Sequence, residues 1–275
     1  MGVLAGRVAV VTGASRGIGE YVARRFAAEG AAVAVVARTQ EQADERLPGT
    51  IHQTVATIRG AGGTAVAIQA DLSKPADRAR IIDEAERELG PVDILVNNAA
   101  VTFFLPVADF PGRRYDLMFE VQVKAPFELS QRVLPGMRER GQGWILNISS
   151  IAAVHPAIPP VPGEDIGGTV YGMCKAALER LTTGMAAELY ADGIAVNALS
   201  PTRGVPTPGV LFHNLIPDVD AALASGAAES PEMFAEASLA LCSGDPAVLT
   251  GRVAYSRALV AELGRTPGPL DAPAA

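Results

Sequence analysis

A tyrosine and a lysine four residues apart, Tyr171 and Lys175, share one face of any helix that contains them. A free phenol titrates at about pH 10. A neighbouring ammonium favours the phenolate and lowers that value. A tyrosine moved toward neutrality donates a proton to a ketone or removes one from an alcohol. A second candidate lies near the amino end, where residues 8–26 read VAVVTGASRGIGEYVARRF. An apolar run ends at Thr12, and glycines fall at 13, 17 and 19. Glycine lets the backbone turn tightly and approach a pyrophosphate with no Cβ in the way. A helix N-terminus adds unpaired N–H groups and the positive end of its dipole. Gly13, Ser15, Arg16, Gly17, Ile18 and Gly19 are therefore candidate phosphate-binding residues. Arg16, with Arg38 beyond the next apolar run, can clamp a phosphate dianion through charge-assisted bonds.

These groups need a scaffold. Strand-like runs at Arg7–Thr12, Ala32–Ala37, Ala65–Gln69, Ile94–Asn97, Gly143–Ser149, Ile194–Ser200 and Val253–Tyr255 are almost wholly apolar. That pattern suits parallel strands buried on both faces. Helical stretches lie between them, for example Gly17–Glu29 and Lys74–Leu89, the second capped by Asp71-Leu72-Ser73. Alternation of this kind predicts a single-domain, Rossmann-type α/β fold. Its doubly wound parallel sheet has about seven strands, with helices on both faces. One dinucleotide-binding and catalytic domain is expected over residues 1–264, with a substrate loop at 201–230 and a flexible tail at 265–275. Three stretches read as irregular: Gln40–Gly49, the proline-rich Val154–Thr169, and Pro201 to about Ser230.

Bulk composition narrows the function. The chain has 275 residues, 49% of them hydrophobic, and a net charge of −7, which argues against nucleic acid as the main ligand. Two cysteines without a CxxC or Cys/His cluster suggest neither a disulfide framework nor a metal site, and fit a reducing cytosol. No basic segment precedes a long apolar core and no apolar run would span a bilayer, so a cytoplasmic protein without a membrane partner is expected.

Five motifs in order resemble the short-chain dehydrogenase/reductase family over roughly residues 5–255. They are TGASRGIG, Asp71-Leu72, Asn97-Asn98-Ala99-Ala100, Asn147-Ile148-Ser149-Ser150 and the YxxxK of Tyr171 and Lys175. The resemblance implies hydride transfer between a nicotinamide cofactor and a carbonyl carbon. It gives Tyr171 as general acid/base, Ser150 as the residue holding the substrate oxygen, and Lys175 as partner of the nicotinamide ribose. Ser149 is the rival to Ser150, and the family pattern favours the second serine of the pair. Asp71 and Leu72 match the adenine contacts, and Asn98, Ala99, Pro201 and Thr207 match positions further along the cofactor. At the end of the second strand, the acidic position that would suit NAD holds Ala37, and Arg38 follows. NADP(H) is therefore expected over NAD(H).

The pattern also breaks. The family's fourth catalytic residue, an asparagine, is Gln122 here. The usual NNAG reads NNAA, and Thr207 falls one place late. The glycine pair near the last strand is replaced by Tyr255-Ser256-Arg257, in a region that often shapes subunit contacts or the pocket base. Ser150 and Tyr171 lie further apart than in most relatives, so the proline-rich segment should hang over the site. Phe103, Phe104 and Leu105, with Leu211, Phe212, Leu215, Ile216 and Val219, suggest a hydrophobic alcohol or carbonyl substrate. Residues 47–63 resemble a subgroup of hydroxysteroid dehydrogenase-like and citronellol/citronellal dehydrogenase-like proteins. A 3-oxoacyl-thioester reductase is the alternative enzyme, with Arg203 as a cation at the mouth. A non-catalytic dinucleotide-binding regulator is the alternative outside enzymes. Relatives imply a homotetramer or homodimer joined through helices near Arg113–Arg138 and Tyr171–Ala191.

Overall fold

A computed structural model describes residues 2–41, 45, 47–159, 161, 163, 166–212 and 216–272. Seven strands form one sheet: β1 (Val8–Thr12), β2 (Ala32–Ala37), β3 (Thr64–Gln69), β4 (Ile94–Asn97), β5 (Gly143–Ile148), β6 (Ile194–Ser200) and β7 (Val253–Tyr255). Their order is β3-β2-β1-β4-β5-β6-β7, and every pairing is parallel. The expected strands are all present, with ends moved by a residue at β1, β3 and β5. The chain reverses direction across the sheet between β1 and β4, and it is beyond the carboxyl ends there that such sheets hold ligands.

Helices cover both faces, which explains the unbroken apolar strands. On one face lie α1 (Gly17–Ala28), α2 (Ile51–Gly60), α9 (Pro231–Ser243) and α10 (Ser256–Glu262), packed through Phe26, Ile58, Phe234 and Leu259. On the other lie α3 (Pro75–Leu89), α5 (Ala125–Arg140) and α6 (Thr169–Leu189), packed through Ile81, Leu129 and Met185. Short helices α4 (Gly112–Phe119), α7 (Pro208–Phe212) and α8 (Val219–Ala224) complete the set. Thr50 and Ser230 cap α2 and α9, accepting bonds from the amides of Gln53 and Met233 at 3.1 and 3.2 Å.

Three expectations change. Asp71-Leu72-Ser73 does not cap α3. Lys74 holds the cap position without a side-chain bond, Asp71 Oδ1 accepts from the Ser73 amide and hydroxyl, and Asp77 accepts from the Asp71 amide. The long helix expected near Arg113–Arg138 is interrupted by a π-helical turn, Glu120–Lys124, between α4 and α5. The tail from Arg265 is anchored as far as it is described. Leu270 is buried, Asp271 pairs with Arg24, Arg265 pairs with Glu236, and Arg25 donates to the carbonyl of Ala272. A composition of small residues and prolines conceals such long-range ion pairs.

Among the described residues, Arg25 and Arg78 are buried and each is paired with carboxylates, as buried charge requires. Arg25 sits between Glu29 and Glu236. Arg78 bonds Glu128, Glu120 and the Leu72 carbonyl, tying α3 to the π turn.

Candidate active site

Among the described residues a cavity of about 1090 Å³ opens beyond the carboxyl ends of β1, β4, β5 and β6. One end is built by the glycine turn. Gly13 and Gly17 have φ of 67° and 58°, the left-handed region that favours glycine. A Cβ on Gly13 would stand 2.7 Å from the Ala99 backbone, and one on Gly17 would stand 3.0 Å from Thr207 Cβ. Ser15, Arg16 and Ile18 line the same end.

Gly19 does not line the cavity. Its missing Cβ would lie 2.4 Å from Asn98 Nδ2 and 2.5 Å from the Gly13 carbonyl. It permits close packing of α1 against the strands, while Asn98 Nδ2 donates to the carbonyls of Thr12 and Gly13 at 2.8 and 3.2 Å. Gly19→Ala must therefore displace Asn98, and a loss of stability of roughly 1–3 kcal/mol is expected from overpacking. Thermal unfolding with and without a dinucleotide checks it, and an unchanged melting temperature would contradict the close contact. Sequence reasoning missed Thr12. Its Oγ1 donates to the Val96 carbonyl and accepts from the amides of Asn98 and Ala99, so one hydroxyl joins β1 to the turn after β4.

Arg16 and Arg38 both line the cavity beside Thr39 and Leu47. Arg16 Nη2 donates to the Gly49 carbonyl at 3.1 Å. A Cβ on Gly49 would meet the Ser15 carbonyl at 2.4 Å, so the insertion after β2 closes against the glycine turn. Part of that insertion, residues 42–44 and 46, lies outside the described residues. Asp71 and Leu72 form the adjoining wall. Burial pushes the Asp71 carboxyl up, but bonds from Ser73 and the nearby Arg38 outweigh it and hold the group below its ordinary value.

At the other end, Ser150, Tyr171 and Lys175 face the cavity together, with Ala99, Pro201 and Thr207 in the surrounding wall. Ser150 hydrogen-bonds the Tyr171 phenol. Ser149 is occupied otherwise: its hydroxyl donates to Glu179 at 2.6 Å and its amide to the Leu199 carbonyl at 2.8 Å. The two serines thus have different partners, and the Ser150 hydroxyl is the one beside the phenol. Lys175 is buried and donates to the Ile148 carbonyl at 2.8 Å, its Nζ 5.5 Å from the centre of the Tyr171 ring. Beneath them Asn97 donates to Asn147, Asn147 to Thr182, and Thr182 to the Leu178 carbonyl, a buried chain linking β4, β5 and α6.

The expected lowering of the Tyr171 pKa is corrected. Burial raises it, the Ser150 bond pulls against the rise, and Lys175 does not reverse it. The ammonium is itself desolvated, and burial pushes Lys175 down to about 8. Spacing on a helix reveals proximity and not shared burial. Between pH 8 and 10 the unfolded lysine keeps a proton that the folded one has released, so stability rises with pH there. Lys175→Met should remove that rise. Denaturant unfolding of both proteins across this window tests it, and parallel curves would refute it.

Gln122 does not reach the cavity. It is buried in the π turn, donates from Nε2 to the Val101 carbonyl at 2.9 Å, and leaves Oε1 without a hydrogen-bond partner. Phe103 and Leu105 are not in the wall either. Phe103 turns toward Met118 and Val170 under Arg114, and Phe104 alone of the three lines the cavity. Val210 and Phe212 also line it, Ile216 packs near Gly204, and Leu215 lies outside the described residues. From the proline-rich segment, Ile166 and Gly168 reach the rim. Ile166, Phe104, Ile151 and Phe212 leave the mouth apolar and 40–70% exposed.

Comparison with known proteins places this geometry. Residues 7–208 match the family model described as short chain dehydrogenase. Dehydrogenase/reductase SDR family member 4 of Homo sapiens is 38% identical over 199 residues, 72% of this chain and 66% of that protein, so the match spans just under two thirds of the relative. A solved short chain dehydrogenase of Mycobacterium thermoresistibile aligns with a TM-score of 0.81 at 30% identity, covering 99% of this chain and 95% of the other. A 3-oxoacyl (acyl-carrier-protein) reductase of Agrobacterium tumefaciens, solved with NADP bound, aligns with a TM-score of 0.77 at 28% identity over 92% and 93% of the two chains.

Proposed function

The chain belongs to the short-chain dehydrogenase family, and from that premise we propose that it is an NADP(H)-dependent oxidoreductase. Its substrate is a hydrophobic secondary alcohol or ketone, or an alcohol and aldehyde pair. The observation that carries the reading is convergence: Ser150, Tyr171 and Lys175 share one cavity with the glycine turn and both arginines. The residues fit a dinucleotide, because the glycine turn at Gly13 and Gly17 lines the cavity together with Arg16, Arg38 and Asp71.

A nicotinamide dinucleotide supplies or accepts the hydride when bound there. The chain's own residues bind, orient and move the proton. Arg16 and Arg38 hold the 2′-phosphate, and the amides of the turn hold the pyrophosphate. Asp71 and Leu72 receive the adenine end, and Asn98, Ala99, Pro201 and Thr207 receive the other. Ser150 holds the substrate oxygen against the Tyr171 hydroxyl. Tyr171 donates its proton to a ketone oxygen, or takes one from an alcohol. Lys175 bonds a ribose hydroxyl and, as a cation, favours the phenolate during turnover. Gln122 acts through Val101, outside the reacting groups. The apolar rim supports a hydrophobic substrate.

NADPH oxidation with a panel of apolar ketones and aldehydes tests the reading. Turnover supports it, and tight NADPH binding without turnover of any carbonyl overturns it. A 3-oxoacyl thioester belongs in the same panel, because Arg203 is exposed at the cavity wall and suits a phosphorylated carrier arm. Among the described residues no helix is long and apolar enough to cross a membrane. The proposal includes a cytoplasmic setting, supported by two free buried cysteines. It also includes a homotetramer or homodimer, supported by the exposed Tyr115 and Phe127 rings of α4 and α5.

A further inference from the structure

The substrate-side wall leaves the sheet after β6 and returns at α9, and both of its stems meet in one hydrogen-bonded knot around buried Glu229. On the outgoing stem, the Thr202 amide donates to Glu229 Oε2 at 3.1 Å and to Ser256 Oγ at 3.0 Å. On the returning stem, Glu229 is fully buried and its amide donates to the Gly204 carbonyl at 3.0 Å. Arg257 closes the knot from α10. Its guanidinium donates to the carbonyls of Gly226 and Ala228 at 3.2 and 2.5 Å and stands 3.7 Å from Glu229, while its amide donates to Thr202 Oγ1 at 3.1 Å. Ser256 and Arg257 occupy the place where the family usually has a glycine pair, which offers no such side chains.

We propose that Arg257 and Glu229 are positioning residues that pin the stems of this wall and so set how well the carbonyl substrate binds. Neither touches the cavity. The residues they hold do: Thr202, Arg203, Gly204 and Val205 on the outgoing stem and Ala227 on the returning one. Val210 and Phe212, between the stems, supply apolar wall. A guanidinium with two carbonyl acceptors and a carboxylate beside it is a rigid fork that lysine does not reproduce. A buried carboxylate that accepts from a backbone amide fixes that amide in turn. The wall is therefore held independently of the arginine clamp at the opposite end of the cavity. The kinetic part rests on the oxidoreductase reading.

The test compares Arg257→Ala, Arg257→Lys and Glu229→Gln with the unaltered protein in two measurements. The first is thermolysin cleavage at the apolar Val210–Phe212 stretch. Cleavage should quicken by about tenfold in Arg257→Ala and by less in the other two, because local opening of this segment becomes easier. The second is steady-state kinetics with a reactive ketone at saturating NADPH. KM should rise by about tenfold in Arg257→Ala with kcat within about threefold, the pattern of lost substrate positioning. Adenosine 2′,5′-bisphosphate, which reaches only the arginine end, should bind all four proteins alike. Unchanged cleavage and KM in an Arg257→Ala protein that keeps this binding would overturn the proposal. If Arg257→Ala loses bisphosphate binding through misfolding, Glu229→Gln decides, and unchanged cleavage there overturns it. If the unaltered protein reduces no carbonyl, the oxidoreductase reading falls while the cleavage comparison still judges the knot.

Discussion

Tyr171→Phe lowers kcat for carbonyl reduction by about 10²–10⁴-fold, the range expected for loss of a positioned general acid, and leaves NADPH binding close to unchanged. The substitution removes one hydroxyl. The ring keeps its place because α6 presents it from a face fixed by buried Cys174 and Leu178, and because Phe104 meets it edge-on at 6.1 Å between centroids. Ser150 then loses its phenol partner but keeps its acceptor bond from the Ala152 amide. Rates measured at saturating NADPH, together with a direct titration of NADPH by fluorescence, separate chemistry from binding. A variant retaining more than a tenth of the activity would show that another group delivers the proton. Lys175→Met should also be slow, but with cofactor binding impaired as well.

Arg16→Ala combined with Arg38→Ala weakens NADPH binding by about 100-fold and leaves NADH little changed. Charge-assisted hydrogen bonds are each worth about 1.5–3 kcal/mol when well formed, and Arg38 is exposed, so the lower end of that range applies to it. Arg16 also braces the insertion after β2 through the Gly49 carbonyl. Arg38→Ala alone is therefore the cleaner probe of the phosphate, and it should account for roughly tenfold. Titrating both variants with NADPH and NADH at two salt concentrations checks the assignment, because an exposed phosphate clamp weakens with ionic strength. Equal affinity for the two cofactors in the unaltered protein would sink the clamp and make NAD the cofactor to supply.

The strands were legible because burial on both faces leaves an unbroken apolar run, which sequence displays directly. The glycine turn was legible for a related reason, since positive φ demands glycine at Gly13 and Gly17, and at Gly13 a close backbone contact does too. What stayed hidden depends on three-dimensional environment. Burial of Tyr171 raises its pKa and burial of Lys175 lowers that of the lysine, and residue spacing carries no record of burial. Gln122 stands where a reacting group was expected, but the π turn aims its amide at Val101. Thr12 and Glu179 were overlooked because a lone hydroxyl and a helix-surface carboxylate look ordinary until their partners 84 and 30 residues away are seen. The anchored tail follows the same rule, for Asp271 meets Arg24 across 247 positions.

The all-parallel sheet bears on how the protein is made. Parallel neighbours need a crossover between them, so no two adjacent strands close through a hairpin. Long-range pairing of this kind folds slowly and leaves an open edge while the chain is incomplete. Synthesis delivers β1 to β4 first, and these four strands are contiguous in the finished sheet, in the order β3-β2-β1-β4. The remaining three then add outward from β4 one at a time. The nascent chain thus contains the glycine turn, Arg16 and Arg38 well before Tyr171 has been added, and until β5 is made β4 is an unpaired edge. On the proposed function, a dinucleotide would be a ligand able to steady the first half of the sheet while the half that carries Tyr171 is still being translated.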